Sequence, residues 1–155
     1  MSIRLLNALT EYYDLVESAA MDPTIVVPSE LDFVPRLGDD MESMIWVLTY
    51  AIMLRHHEGF QGPKKAQYKI KVVDGFYGNL SYSELAEKRC LLAYDGYNLL
   101  AKQPNVWIPD PTHCKWFRRA MTLVAGQLMP SFDGSAKDIT FDAFDALCDE
   151  FITDE

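Results

Sequence analysis

The sequence predicts an all-α protein, a single helical domain over residues 1–155. Three observations predict it. Residues 44–54 form an apolar run broken only by Thr49, a length that suits a helix better than a strand. Four further segments repeat apolar residues at steps of three and four. Helix-capping signals open several of these segments, and no two alternating runs are joined by a hairpin turn.

The first helix is predicted at about 2–20. Leu5, Leu9, Tyr12, Val16 and Ala19 fall on one stripe, and Ser2 is placed to cap it. Asp22-Pro23 ends it, because the residue before a proline is driven out of the α region. Residues 22–38 carry Pro23, Pro28, Pro35 and Gly38 and read as a loop, which Ile25, Val26, Val27, Leu31, Phe33 and Val34 pin to the core. A central helix follows at about 40–57. Asp39 or Asp40 caps it, and its acidic first turn suits the positive end of the helix dipole. Arg55, His56 and His57 suit the opposite end, and Gly59 and Gly62-Pro63 terminate it. With apolar residues all round, this helix is expected to be buried on every face, with Trp46, Leu48, Ile52 and Met53 holding the fold together.

Residues 64–77 read as a short helix, although alternation over 68–73 also fits a strand. Ser81 and Glu84 form a capping box that opens a helix at 82–102, with Leu85, Arg89, Leu92, Gly96 and Leu99 on one stripe. Asp95-Gly96 is the place where it would bend, since glycine costs about 1 kcal/mol against alanine there. Pro104, Pro109 and Pro111 mark a loop in which Trp107 and Ile108 read as core anchors. Asp110-Pro111 starts a helix at 111–129, with Phe117, Ala120, Met121, Val124 and Leu128 inward and Lys115, Arg118, Arg119 and Gln127 in polar positions. Pro130 stops it, and 131–139 is a loop. The last helix, 140–152, is capped by Thr140 and points Phe141, Phe144, Leu147, Phe151 and Ile152 inward.

Composition narrows the function. A net charge of −9 works against an unspecific phosphate-binding surface, so nucleic acid is not an expected partner. The run at 44–54 is about half the ~20 residues that a membrane span needs, so no membrane association is expected. The short apolar run at the N-terminus is cut by Asn7, Thr10, Glu11 and Asp14, which is not a secretory leader. The expectation is an intracellular protein, cytoplasmic or nuclear. Cys90, Cys114 and Cys148 are odd in number and widely spaced, which reads as three free thiols.

Site chemistry is sparse. His56, His57, His113 and Cys114 are the one conceivable metal set, yet they lack any His-x-x-x-His or Cys-x-x-Cys spacing. The carboxylates Asp39/Asp40, Asp142/Asp145 and Asp149/Glu150 read as caps and solvated faces. The lysines between 64 and 71 read as a solvated helix face. No catalytic, cofactor-binding or metal-binding residue is assigned, and no cofactor is expected.

The stretch Asp39-Asp40-Met41-Glu42-Ser43 followed by Trp46-Val47-Leu48 resembles the central C-lobe helix of fungal-type protein kinases. Met1-Ser2-Ile3-Arg4-Leu5-Leu6 is similar to the sequence that opens the next helix after the activation segment of such kinases. The resemblance covers most of the chain and implies a kinase C-lobe-like fold. It makes Asp40, Ser43 and Trp46 the structural anchors, with Asp40 matching the aspartate that holds the backbone of the catalytic loop. The departures are as informative. Glu42 stands where most kinases have tryptophan, and the Gly-rich loop, strand lysine, His-Arg-Asp loop and Asp-Phe-Gly motif are missing.

In the fold that the resemblance implies, an earlier helix covers one face of the central helix. Without that cover, four or five apolar side chains would each forgo roughly 1.5–3 kcal/mol. Either the N-terminal helix repacks over that face or another chain covers it; the second is expected, as a homodimer or a tightly bound helical partner. Leu6, Tyr13, Trp46, Tyr50 and Met53 are the expected contact residues. The functional expectation is a non-catalytic protein-interaction module. Two alternatives stand beside it: the lower part of an active kinase whose ATP-binding part is supplied separately, and an unrelated small helical enzyme with an acidic pocket.

Overall fold

Helices make up most of the described residues in the computed structural model, and no strand occurs among them. Described are the backbone of residues 1–102, 108–128 and 137–152, and the side chains within them except those at 71, 75, 76, 95–102 and 151–152. The all-α class is the one the sequence predicts. Trp107, and the side chains of Leu99, Phe151 and Ile152, lie outside the described residues.

Helix α1 spans Ile3–Met21. The Ser2 hydroxyl accepts the Leu5 N–H at 3.2 Å and closes its first turn. Only that first turn enters the core, through Ile3 and Leu6; Leu5, Leu9, Tyr12 and Ala19 are half-buried.

Helix α2 spans Leu37–Gly59, so it begins before the aspartates that were expected to cap it. Arg36 stands at the N-cap. Asp39 is the third helical residue, and its carboxylate accepts the Arg36 N–H at 2.9 Å. This early start needs glycine at 38. A Cβ there would drive into Oε1 of Gln127 and lie 3.2 Å from Ile139 N. Ile45, Trp46, Thr49, Ile52 and Met53 are buried. The helix is not buried on every face, however: Met44 is 50% and Val47 63% exposed.

The next segment winds as helix throughout: α3 over Gly62–Tyr68, a π-turn over Lys69–Val73, and α4 over Asp74–Tyr77. Gly62 opens it at φ 58°, a left-handed conformation that favours glycine. A strand here would put Ile70 on the side of Tyr68 and Val72. The helical winding buries Tyr68, Val72 and Val73 and turns Ile70 out to 68% exposure.

Helix α5 spans Tyr82–Lys102 and stays helical across Asp95-Gly96. Its capping box forms as read: Ser81 Oγ accepts the Glu84 N–H at 3.2 Å and Glu84 accepts the Ser81 N–H at 2.9 Å. Helix α6 spans Pro111–Leu128, with Asp110 Oδ1 accepting the N–H groups of Thr112 and His113 at 2.9 and 3.1 Å. Cys114, Trp116, Phe117, Ala120, Met121 and Val124 form its buried stripe, which also takes in Gln127. Helix α7 spans Phe141–Ile152 and is capped by Thr140, whose hydroxyl accepts the Ala143 N–H at 3.2 Å. Phe144 and Leu147 point inward, but Phe141, the first residue of the helix, is 58% exposed.

Helix α5 lies between α1 and α6, and α6 packs in turn against α7 and α2. Helix α2 also touches α1, α3, the π-turn and α7, which makes it central. The core is continuous from Ile3 through Trp46 to Trp116, Phe117 and Leu147.

Candidate functional site

The inner face of α2 carries a carboxylate with no exposed surface. Glu42 sits one turn before Trp46 and is fully buried. Its Oε1 accepts the Ile3 N–H at 2.7 Å and the Trp46 indole N–H at 2.9 Å. Its Oε2 accepts from Gln127 Nε2 at 2.9 Å. The Ile3 N–H is one of the donors that the first turn of α1 leaves open, so Glu42 caps a helix it does not belong to. Gln127 passes the network on, its Oε1 accepting the Ile139 N–H at 3.2 Å. One side chain thus joins α1, α2, α6 and the approach to α7. Burial pushes the Glu42 carboxyl above the usual carboxylate range, against the bonds from Trp46 and Ile3 and the nearby positive charge of Arg89.

Arg89 completes this interior. Its guanidinium lies 5.0 Å from the centre of the Trp46 ring and 5.8 Å from that of Tyr77, and it donates to the Met1 carbonyl. The Tyr77 hydroxyl donates to the Trp46 carbonyl at 3.0 Å. A second carboxylate lies beside this cluster. Asp39 is buried and pairs with Arg4 at 2.6 Å.

The structure places the expected anchors unequally. Trp46 is in the cluster, and the Ser43 hydroxyl donates to the Asp39 carbonyl at 2.7 Å. Asp40 is exposed. Because α2 starts at Leu37, its turns bring Asp39, Glu42, Trp46 and Thr49 inward and leave Asp40 outside. The anchoring carboxylates are Asp39 and Glu42.

The expected contact residues need a similar correction. Leu6, Trp46 and Met53 are buried within the chain and offer no surface to a partner. Tyr13 and Tyr50 do reach the surface. Tyr13 stacks on Tyr82 with ring centres 5.7 Å apart, and Tyr50 lies against Tyr77 at 4.6 Å. The open face of α2 consists instead of Leu37, Met44, Val47 and Ala51, with Asp40 and Arg55 exposed on the same stripe. All-round apolar character hid this face, since such a helix has no polar side to show its phase.

One long-range pair joins the end of α2 to the start of α6. His56 Nε2 and His113 Nδ1 are 3.2 Å apart, with Asp110 Oδ1 4.0 Å from His113 Nδ1. Such a contact needs one ring nitrogen to accept, so at least one imidazole is neutral. Burial, then the neighbouring His113 and Arg55, hold His56 below the ordinary histidine value, while Asp110 acts the other way. A lowered histidine value means the unfolded chain binds the proton more readily. The contribution of His56 is therefore present above about pH 6.5 and is lost as pH falls through its folded value. The wild type is expected to lose stability between about pH 7 and pH 5, and His56→Gln to reduce that loss, as measured by thermal melts at both pH values. Equal losses in both proteins would count against it.

Two imidazoles make two ligands, and among the described residues no group of three or more His, Cys, Asp and Glu converges as a metal site. The three cysteines are unpaired. Burial pushes the Cys90 and Cys148 thiols up, away from thiolate reactivity. Glu42 has donors from this chain on both oxygens and no open side for a substrate. No helix among the described residues is long and apolar enough to cross a membrane. Set against known protein families, curated proteins and solved structures, the chain matches none of them.

Proposed function

We propose that this chain works by protein–protein contact through the outward face of α2 and carries no catalytic activity of its own. The observation that carries this reading is the open stripe Leu37, Met44, Val47 and Ala51, on the same helix whose other face forms the core. Fully covering a side chain of this kind is worth roughly 1.5–3 kcal/mol, so partly wet Met44 and Val47 leave a binding free energy unused. The absence of kinase phosphate-handling motifs from the sequence and the self-contained bonding of Glu42 support the non-catalytic half.

We further read the chain as derived from the C-lobe of a fungal-type kinase. The Asp-x-Glu-Ser stretch followed by Trp46-Val47-Leu48 supports this. On that reading the open face is the one an earlier helix would cover. Three unpaired thiols fit a reducing, intracellular compartment.

Site-specific photocrosslinking tests the contact. A photoreactive residue in place of Val47 is expected to attach a protein in cell extract, while one in place of Glu11, exposed on α1, is not. No adduct from position 47, either in extract or with the purified chain at about 1 mM, would overturn the proposal. Titration calorimetry with ATP and Mg²⁺ tests the other half: no binding is expected, and stoichiometric binding would favour a kinase whose upper part comes from elsewhere.

A further inference from the structure

The open stripe of α2 is complementary to itself. Asp40 lies seven residues before Val47, and Arg55 seven after Leu48. Both charged residues are exposed, and the centre between them is apolar. We propose that the occupant of this face is a second copy of the chain, packed antiparallel on α2 about a two-fold axis between Val47 and Leu48. The proposal rests on the contact reading above and names its partner.

A two-fold interface brings residue i against residue j of the second copy, and j against i. With the axis between Val47 and Leu48, Met44 of each copy meets Ala51 of the other, a long side chain over a short one. Asp40 of each copy meets Arg55 of the other. At a rise of ~1.5 Å per residue these charges are roughly 22 Å apart along one helix, so two ion pairs would bracket the apolar centre. Glu58, one turn beyond, falls opposite Leu37 at the end where Arg36 stands. The two copies therefore meet through a face that carries both signs of charge, although each chain has a net charge of −9.

The size of the patch sets the strength. A few partly exposed side chains offer less than the ~800 Å² per partner of a standard interface, and the like net charge opposes association. The pair is a reversible one, with a Kd of roughly 100 μM.

Sedimentation of the purified full chain from about 10 μM to about 1 mM tests it. The wild type is expected to move from 17.7 kDa towards twice that mass as concentration rises. Val47→Lys removes the shift while the far-ultraviolet helical signal stays. Asp40→Arg and Arg55→Asp each weaken pairing about tenfold, since each sets like charges against one another. Mixed in equal amounts, the two charge variants pair at least as well as the wild type, because every charge then meets its opposite. A wild type that stays monomeric throughout, a mixture no better than its components, or a dimer that survives Val47→Lys would overturn the proposal. The crosslinking separates its failure from that of the wider reading. An adduct to a different protein, with the purified chain monomeric, sinks the second copy alone. No adduct at all, either in extract or with the purified chain at about 1 mM, sinks both.

Discussion

Glu42→Ala is expected to cost about 3–5 kcal/mol of folding stability, the range for removing one partner from a buried ionic network. That is a large part of the roughly 5–15 kcal/mol that holds a domain together. The substitution strips the acceptor from Ile3 N–H, the Trp46 indole and the Gln127 amide at once, all inside the core. Each buried donor left bare carries a desolvation cost of about 1–3 kcal/mol, partly relieved where the side chain can turn away. The backbone donor of Ile3 cannot, because α1 fixes it. Arg89 also loses its nearby negative charge. The melting temperature should fall by roughly 10 °C, at ~2–4 °C per kcal/mol for a chain of this size.

Glu42→Gln separates charge from shape. The amide keeps one oxygen for Ile3 and Trp46 but sets an NH₂ against Gln127 Nε2. Gln127 cannot flip to answer it, because its own oxygen holds the Ile139 N–H. A loss of about 1–3 kcal/mol is expected, between wild type and Glu42→Ala. Denaturant melts of the three proteins check the order. If Glu42→Ala costs under 1 kcal/mol, Glu42 is not the hub.

Where a signal is local, the sequence was readable. Ser2, the Ser81/Glu84 box, Asp110-Pro111 and Thr140 each mark a helix start because the capping bond closes within three residues. The phase of α2 was not readable, since eleven nearly all-apolar residues leave no polar side for reference. Apolar character alone points to Leu6, Trp46 and Met53 as contacts, whereas folding buries them and leaves Met44, Val47 and Ala51 outside. Gln127 looked like a surface residue because its partner Glu42 is 85 positions away, and His56 meets His113 across 57. Such pairs exist only once the helices have packed. One local clue did lie in the open: Asp39, Glu42, Trp46 and Thr49 follow helical spacing, which places two acids on the stripe of the tryptophan.

Trp46→Ala should match Glu42→Ala in size, at about 3–5 kcal/mol, but for a different reason. Trp46 is 1% exposed and among the largest buried side chains, so truncation removes apolar contact and leaves a cavity. It also withdraws the ring beneath the Arg89 guanidinium and one of the donors to Glu42. Trp46→Phe divides these contributions. It keeps much of the ring against Arg89 and the core and deletes only the indole N–H with part of the bulk, so about 1–2 kcal/mol is expected. The two predictions meet in a double-mutant cycle. Where Glu42 and Trp46 act through one hydrogen bond, Glu42→Gln with Trp46→Phe costs less than the sum of the singles, by about 1 kcal/mol. Costs that add to within about 0.3–0.5 kcal/mol would mean that the two residues stabilise the fold separately, and that the shared network between α1, α2 and α6 is not what holds the interior together.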